Sequence, residues 1–301
     1  MNIIETQNLT RRFGRTEAVQ GLDLTVPAGS VFALLGPNGA GKTTTLKLLM
    51  NLLRPTAGTA TVLGVDSQRL GERERAQIGY VSENQQLPLW MTVRQLLDYC
   101  RPFYPTWDRT LEVTLLKQFA LPEDRKLKQL SRGMLMKAAL LSSLAYRPKL
   151  LVLDEPFSGL DPLVRDEFIH GVLEVSAVGD WTVVVSSHDI EEVERLADHV
   201  AMLDAGRLGL SETTAALLGR FRRVEITGGP VVGAAEPGVL GWERAGGLAR
   251  FVVTDYTGEV SERRWLERYA GATVSFRLMT LREIFVALAR ARQGAKEGVA
   301  A

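Results

Sequence analysis

A chain of 301 residues with 46% hydrophobic content is long enough for about two domains and holds ample apolar material for packed cores. Its 36 Lys+Arg nearly balance 35 Asp+Glu; residues 216–301 carry 13 basic against 9 acidic side chains, leaving 23 against 26 before them. Neither part has the strong basic field of a general nucleic-acid binder, so no nucleic-acid partner is expected. Cys100 is alone, which excludes an intrachain disulfide and fits a reducing compartment. MNIIETQNLTRRF lacks the basic, apolar and small-residue order of an export signal. Arg147 and Lys149 interrupt the best apolar run, ALLSSLAYRPKLLVL, short of the roughly 20 residues that span a bilayer.

Along the chain, apolar β-rich runs alternate with helix-period segments, the order that gives an α/β fold with a mainly parallel sheet. VFALL (31–35), LLVLD (150–154) and TVVVSS (182–187) are predicted as buried strands, so functional groups are expected at their C-terminal ends. The first is followed by GPNGAGKT, which fits G-x-x-x-x-G-K-[ST] between a strand and a helix. Gly36, Pro37, Asn38, Gly39, Ala40 and Gly41 would form the loop that wraps a phosphate, its backbone N–H groups coming from all but Pro37, which has none. Lys42 would reach the terminal phosphates, Thr43 would ligate Mg²⁺, and Thr44 would continue the phosphate-facing first turn of the helix.

A helix-rich insert is predicted over about residues 88–147, punctuated by Pro88, Pro102, Pro105 and Pro122. Inside it, QLSRGMLMKAAL starts a helix that Ser131 would cap. The strand LLVLD then ends in Asp154 followed by Glu155, neighbours that face opposite sides of an extended chain. Asp154 would hold Mg²⁺ through its water shell, and Glu155 would orient or deprotonate an attacking water. His188 ends WTVVVSS at the same sheet edge, within reach of a γ-phosphate or its attacking water, whereas His170 and His199 read as ordinary packing or surface residues.

After about residue 215 the texture changes. GGPVVGAAEPGVLGWERAGG reads as Gly-rich loop between strand-like RVEITG, RFVVTDY and TVSFRL. TLREIFVALARAR then opens with a capping box, Thr280 and Glu283, and sets Leu281, Ile284, Phe285 and Leu288 on one helical face. The expected domains are residues 1–215 and a small α/β extension, 216–301.

A P-loop, a DE-terminated strand, a strand-end histidine and an LSxG turn in this order resemble the ATP-binding subunits of ABC transporters, over roughly residues 2–215. The resemblance implies a P-loop NTPase cassette that binds ATP and Mg²⁺, pairs head to tail with a second copy or a related ATPase, and powers integral membrane permease subunits. The protein would then be cytoplasmic, held peripherally at the inner face of the membrane by its partners. It further implies that Phe13 stacks on adenine, that Ser131 and Gly133 contact the ATP of the partner chain, and that Asp161 in SGLDP crosses the dimer interface.

Two stretches depart from the family pattern. Glu83, in IGYVSENQQ, stands where glutamine is usual; its carboxylate would touch Mg²⁺ or the attacking water, with Gln85 as the competing residue. LSRGM replaces LSGGQ, so Arg132 and Met134 stand for a glycine and a glutamine, and Arg132 is read as pointing to solvent rather than at the partner's phosphate. The overall pattern is similar to exporter subunits of bacteria with a C-terminal extension. The alternative is a soluble ATPase of the same type working on a ribosome or DNA, but this chain has one cassette and no heptad run. A P-loop GTPase is disfavoured because N-K-x-D is missing and the LSRGM turn would go unexplained.

Overall fold

The computed structural model describes residues 1–177, 181–228 and 236–299. The chain divides into two compact units, Met1–Ser211 and Glu212–Ala301, four residues ahead of the boundary expected from composition.

The first unit opens with β1 (Asn2–Phe13), β2 (Thr16–Leu22), β3 (Thr25–Pro27) and β4 (Val31–Leu35), then α1 (Lys42–Leu49), β5 (Ala57–Val62), β6 (Val65–Asp66), the short α2 (Glu72–Arg75) and β7 (Ile78–Ser82). The insert carries α3 (Val93–Cys100), α4 (Arg109–Gln118) and α5 (Arg132–Leu144). The chain returns through β8 (Leu150–Asp154), α6 (Pro162–Ala177), β9 (Thr182–Ser187), β10 (His199–Asp204) and β11 (Arg207–Thr213).

These strands form two sheets. The six-stranded one has the order β11-β10-β4-β9-β8-β7, and its pairings from β10 to β7 are parallel. Every residue of β4, β8 and β9 is buried, as expected of strands covered on both faces. The five-stranded sheet of β1, β2, β3, β5 and β6 is antiparallel and was not foreseen from sequence. Its strands are half-polar: in β1, Ile3, Ile4, Thr6 and Leu9 turn inward while their neighbours face water. One core cluster joins Ile4, Leu9 and Val26 of this sheet to Leu46 and Leu49 of α1 and to Phe32, Val152 and Val184 of the parallel sheet. That packing fixes where α1 begins, and so where the P-loop must turn.

The second unit adds α7 (Thr214–Arg220), β12 (Arg222–Thr227), β13 (Val239–Ala245), β14 (Leu248–Val253), α8 (Glu259–Arg268), β15 (Thr273–Leu278) and α9 (Leu281–Val299). Its four strands run β13-β14-β12-β15 with every pairing antiparallel, so the extension is an α+β unit rather than an α/β one. The Gly-rich stretch expected as loop contains β13: Ala245 pairs with Leu248 across a Gly246-Gly247 hairpin turn, with Gly246 at φ +59°. Paired glycines there serve the two-residue turn that joins twisted strands. Of that stretch, residues 229–235 lie outside the described ones. Trp265 of α8 fills the core against Phe251 and Tyr269, with ring centroids 4.8 and 6.2 Å away. The capping box of α9 is formed, Thr280 N donating to Glu283 Oε2 at 2.9 Å and Glu283 N to Thr280 Oγ1 at 3.2 Å.

Candidate nucleotide site

Because β4, β9, β8 and β7 are adjacent and parallel, the loops leaving them converge on one edge. The register aligns Leu35 with Ser187, Ser186 with Asp154, and Asp154 with Ser82. Gly36, His188, Glu155 and Glu83 therefore leave the sheet side by side, although they are far apart in sequence.

The turn from β4 into α1 takes Gly39 to φ +81° and Gly41 to φ +101°, a region that side chains disfavour, and a Cβ on Gly41 would meet the Ala18 carbonyl oxygen at 2.3 Å. No side chain caps α1, so its first N–H groups and its dipole face the turn, an arrangement that suits an anion. Lys42 is buried; its Nζ donates to the carbonyls of Gly36 at 2.7 Å and Pro37 at 3.2 Å and lies 3.0 Å from Glu155 Oε1. A cleft of about 420 Å³ runs from Phe13 and Ala18 along Asn38, Gly39, Ala40, Gly41, Lys42, Thr43 and Thr44 to Glu83 and Glu155. Phe13 is an exposed aromatic in its wall, with the Arg11 guanidinium 4.4 Å from the ring centroid.

The two strand-end carboxylates have separate partners. Asp154 Oδ1 accepts from Thr43 Oγ1 at 2.9 Å and from Ser186 Oγ at 2.8 Å. A hydroxyl and a carboxylate held together beside a phosphate cradle are the oxygen donors that Mg²⁺ takes when phosphates supply its other ligands. Tyr80 OH lies 3.5 Å from Asp154 Oδ2, and burial, with the charge of Asp154 second, pushes its phenol up to about 12, so it remains a neutral donor. Glu155 turns the other way, Oε1 toward Lys42 and Oε2 toward His188 Nδ1 at 2.7 Å and His188 N at 3.3 Å. Its backbone is left-handed at φ +52°, a conformation that costs a non-glycine residue about 1–3 kcal/mol, and its N–H donates to Ser186 Oγ at 3.0 Å.

Ser131, Gly133 and Asp161 lie outside the lining of this cleft and do local work within the chain. Ser131 Oγ accepts from Met134 N at 3.2 Å and caps α5, and Asp161 Oδ1 accepts from Val164 N at 3.0 Å at the start of α6. Gly133 is buried where a Cβ would stand 2.5 Å from Val164 Cγ1, so its smallness is already required by the packing of α5 on α6.

Two readings made from sequence are sharpened. Glu83 and Gln85 face different spaces: Glu83 lines the cleft beside Lys42, whereas Gln85 lines a separate cavity with Tyr80, Cys100 and Tyr146. Arg132 does not simply point to solvent. Its Nη2 donates to Glu83 Oε1 at 2.6 Å, because β7 and the start of α5 bring two positions 49 residues apart into contact. Sequence reasoning missed Ser186, Tyr80 and Ser158; the available signal was a pair of serines ending an otherwise apolar strand, where buried hydroxyls need partners.

An ABC transporter family model matches residues 19–158. The daunorubicin/doxorubicin resistance ATP-binding protein DrrA of Streptomyces peucetius is 37% identical over 219 residues, 71% of this chain and 66% of that protein. The Nod factor export ATP-binding protein I of Burkholderia lata is 39% identical over 209 residues, 68% of each chain. The chain belongs to the ABC transporter ATP-binding proteins. The match thus spans about two thirds of these relatives. Among solved structures, an ATP-binding subunit of an ABC transporter superposes with a TM-score of 0.64 at 27% identity, covering 71% of this chain and 91% of its own. A bacterial Atm1-family ABC exporter with ATP bound gives 0.63 at 26% identity, over 71% of this chain and 39% of its own. No helix among the described residues is long and apolar enough to cross a membrane.

Proposed function

We propose that this ABC protein binds MgATP in the cleft between β4 and α1, pairs head to tail with a second copy or a related ATPase around two nucleotides, and hydrolyses them to drive export through integral membrane permease subunits. One observation carries the chemistry: Lys42, the Thr43/Asp154 pair and the Glu155/His188 pair meet at a single strand edge.

Lys42, released from the Gly36 and Pro37 carbonyls, supplies a buried positive charge to the terminal phosphates, and the N–H groups opening α1 supply oriented dipoles. Thr43 and Asp154 would hold Mg²⁺, which supplies charge neutralisation on the phosphate oxygens. Glu155, poised between Lys42 and His188, takes the proton of the attacking water as the general base. His188 fixes the direction of that carboxylate and offers a donor toward the γ-phosphate. Phe13 provides an exposed ring for the adenine. Ser131, Gly133 and Asp161 face the partner's nucleotide in the paired state.

The permease partner is supported by a cavity of about 300 Å³ lined by Met50, Leu52, Leu70, Tyr104 and Tyr146, apolar enough to seat a cytoplasmic loop of a membrane subunit. The protein would then sit at the inner face of the membrane through that contact. The test is copurification from solubilised membranes, with ATP turnover measured with and without the partner. ATP turnover by a chain that brings down no membrane protein would overturn the transport half of the reading.

A further inference from the structure

The two departures from the family pattern are one device. Arg132 Nη2 donates to Glu83 Oε1 at 2.6 Å, and Ser158 Oγ donates to the same oxygen at 2.9 Å. The guanidinium lies across Gly159, which has φ +67°; a Cβ there would stand 2.7 Å from Nη1 and 3.1 Å from Cζ. Three loops are tied together: the end of β7 by Glu83, the turn after Glu155 by Ser158 and Gly159, and the LSRGM turn by Arg132. A glutamine at 83 would offer this guanidinium no charge, and a glycine at 132 would offer the carboxylate nothing. The pair works only when both substitutions are present.

Glu83 also lines the cleft that holds Lys42 and Thr43, and its N–H donates to the Asp154 carbonyl at 3.0 Å. Its carboxylate is thus shared between the nucleotide side and the LSRGM side of one chain. A metal ion drawn to that carboxylate must compete with a guanidinium already bonded to it, and the charge of that guanidinium opposes the cation. We propose that Arg132 is a positioning residue that withholds Glu83 from the metal of bound MgATP, so that the LSRGM turn sets the Mg²⁺ dependence of nucleotide binding in its own chain. This rests on the nucleotide reading of the cleft.

The experiment titrates Mg²⁺ against binding of a fluorescent ATP analogue to the full chain, comparing wild type with Arg132→Ala, Arg132→Lys, Glu83→Gln and the Arg132→Ala/Glu83→Gln double variant. Arg132→Ala should lower the Mg²⁺ midpoint about threefold, the modest size expected of an ion pair whose arginine is half-exposed. Arg132→Lys should stay near wild type, and Glu83→Gln should raise the midpoint by less than the fall in Arg132→Ala, because the carboxylate is already held back by the arginine. Adding Arg132→Ala to Glu83→Gln should then change nothing, because the arginine acts through the carboxylate. An unchanged midpoint in Arg132→Ala, or an equal fall in both backgrounds, would overturn the proposal; the second result would mean a through-space charge effect. Analogue binding at saturating Mg²⁺ shows that each variant is folded. Lys42→Ala is measured alongside: if it still binds the analogue as wild type does, the nucleotide reading itself fails. A silent Arg132→Ala beside a non-binding Lys42→Ala would sink only the inference about Arg132.

Discussion

The parallel sheet of the first unit and the antiparallel sheet of the second handle polar side chains in opposite ways. In the first, strands β4, β9, β8 and β7 run the same way, so the residues that follow each of them gather at one edge and face a common cleft. In the second, neighbouring strands run oppositely, successive turns fall at opposite ends, and charges pair off across the strands. Glu225 takes both Arg250 and Arg277 from its neighbouring strands at 3.1 Å, and Arg223 of β12 takes Glu283 of α9 at 3.0 Å. Strand direction thus decides whether polar residues converge on a ligand or neutralise one another. The chemistry should lie wholly in the first unit, and the second should matter through its own stability.

The largest test of that contrast is Glu155→Gln. Loss of the general base with the phosphate cradle intact should slow hydrolysis by at least ~10²-fold while ATP binding persists and an ATP-bound dimer accumulates on size exclusion. Turnover close to wild type would remove Glu155 from its role. Next, Trp265→Ala should cost the second unit about 3–5 kcal/mol, because a fully buried indole leaves a large cavity. Calorimetry should show that loss while nucleotide binding at Lys42 is unchanged; loss of nucleotide binding as well would show that the two units do not divide the work in this way.

Ser186→Ala sharpens the first half of the comparison. It removes the hydroxyl that donates to buried Asp154 Oδ1 and accepts from partly buried Glu155 N, at a cost of about 1–3 kcal/mol. Stability should fall and turnover should fall further, since the Asp154 carboxylate and the Glu155 backbone lose a shared partner; a stability loss with normal turnover would reduce Ser186 to a packing residue. Ser131→Ala should cost only about 1 kcal/mol as a lost helix cap. Turnover that drops in step with that small change would leave Ser131 as a cap, whereas collapse of dimer formation with intact single-chain ATP binding supports contact with the partner's nucleotide. Gly133→Asp is a poorer probe, because Val164 already fills the space.

The smallest effect concerns Glu192, whose carboxyl is raised above its ordinary range chiefly by burial, against the hydrogen bond from Ser187 at 2.6 Å and the Arg165 guanidinium at 3.2 Å. A raised acid keeps its proton longer in the folded chain than in the unfolded one, so stability declines as pH climbs from the ordinary carboxylate value through the raised one. The melting temperature of wild type minus that of Glu192→Gln should therefore fall over that interval, and a rising difference would contradict the sign.

The sequence by itself determined the elements and the reactive groups. Short apolar runs marked β4, β8 and β9, glycines at fixed spacing marked the P-loop, and Asp154, Glu155 and His188 stood out as polar residues ending those runs. These signals are local, since strand propensity, turn conformation and a helix start depend on neighbours in the chain. Where the pattern was half-polar, the fold was hidden: β1 and its antiparallel sheet alternate with the surface, and β13 lay behind glycines that serve a hairpin turn. Tertiary structure alone decided which distant residues meet. It placed Ser186 between the Asp154 carboxylate and the Glu155 N–H, set Glu83 rather than Gln85 in the lining of the cleft with Lys42, and set Arg132 on Glu83 across 49 residues. The reason is that strand order and register are fixed by burying one shared core, and no short window of sequence records which strand will lie beside which.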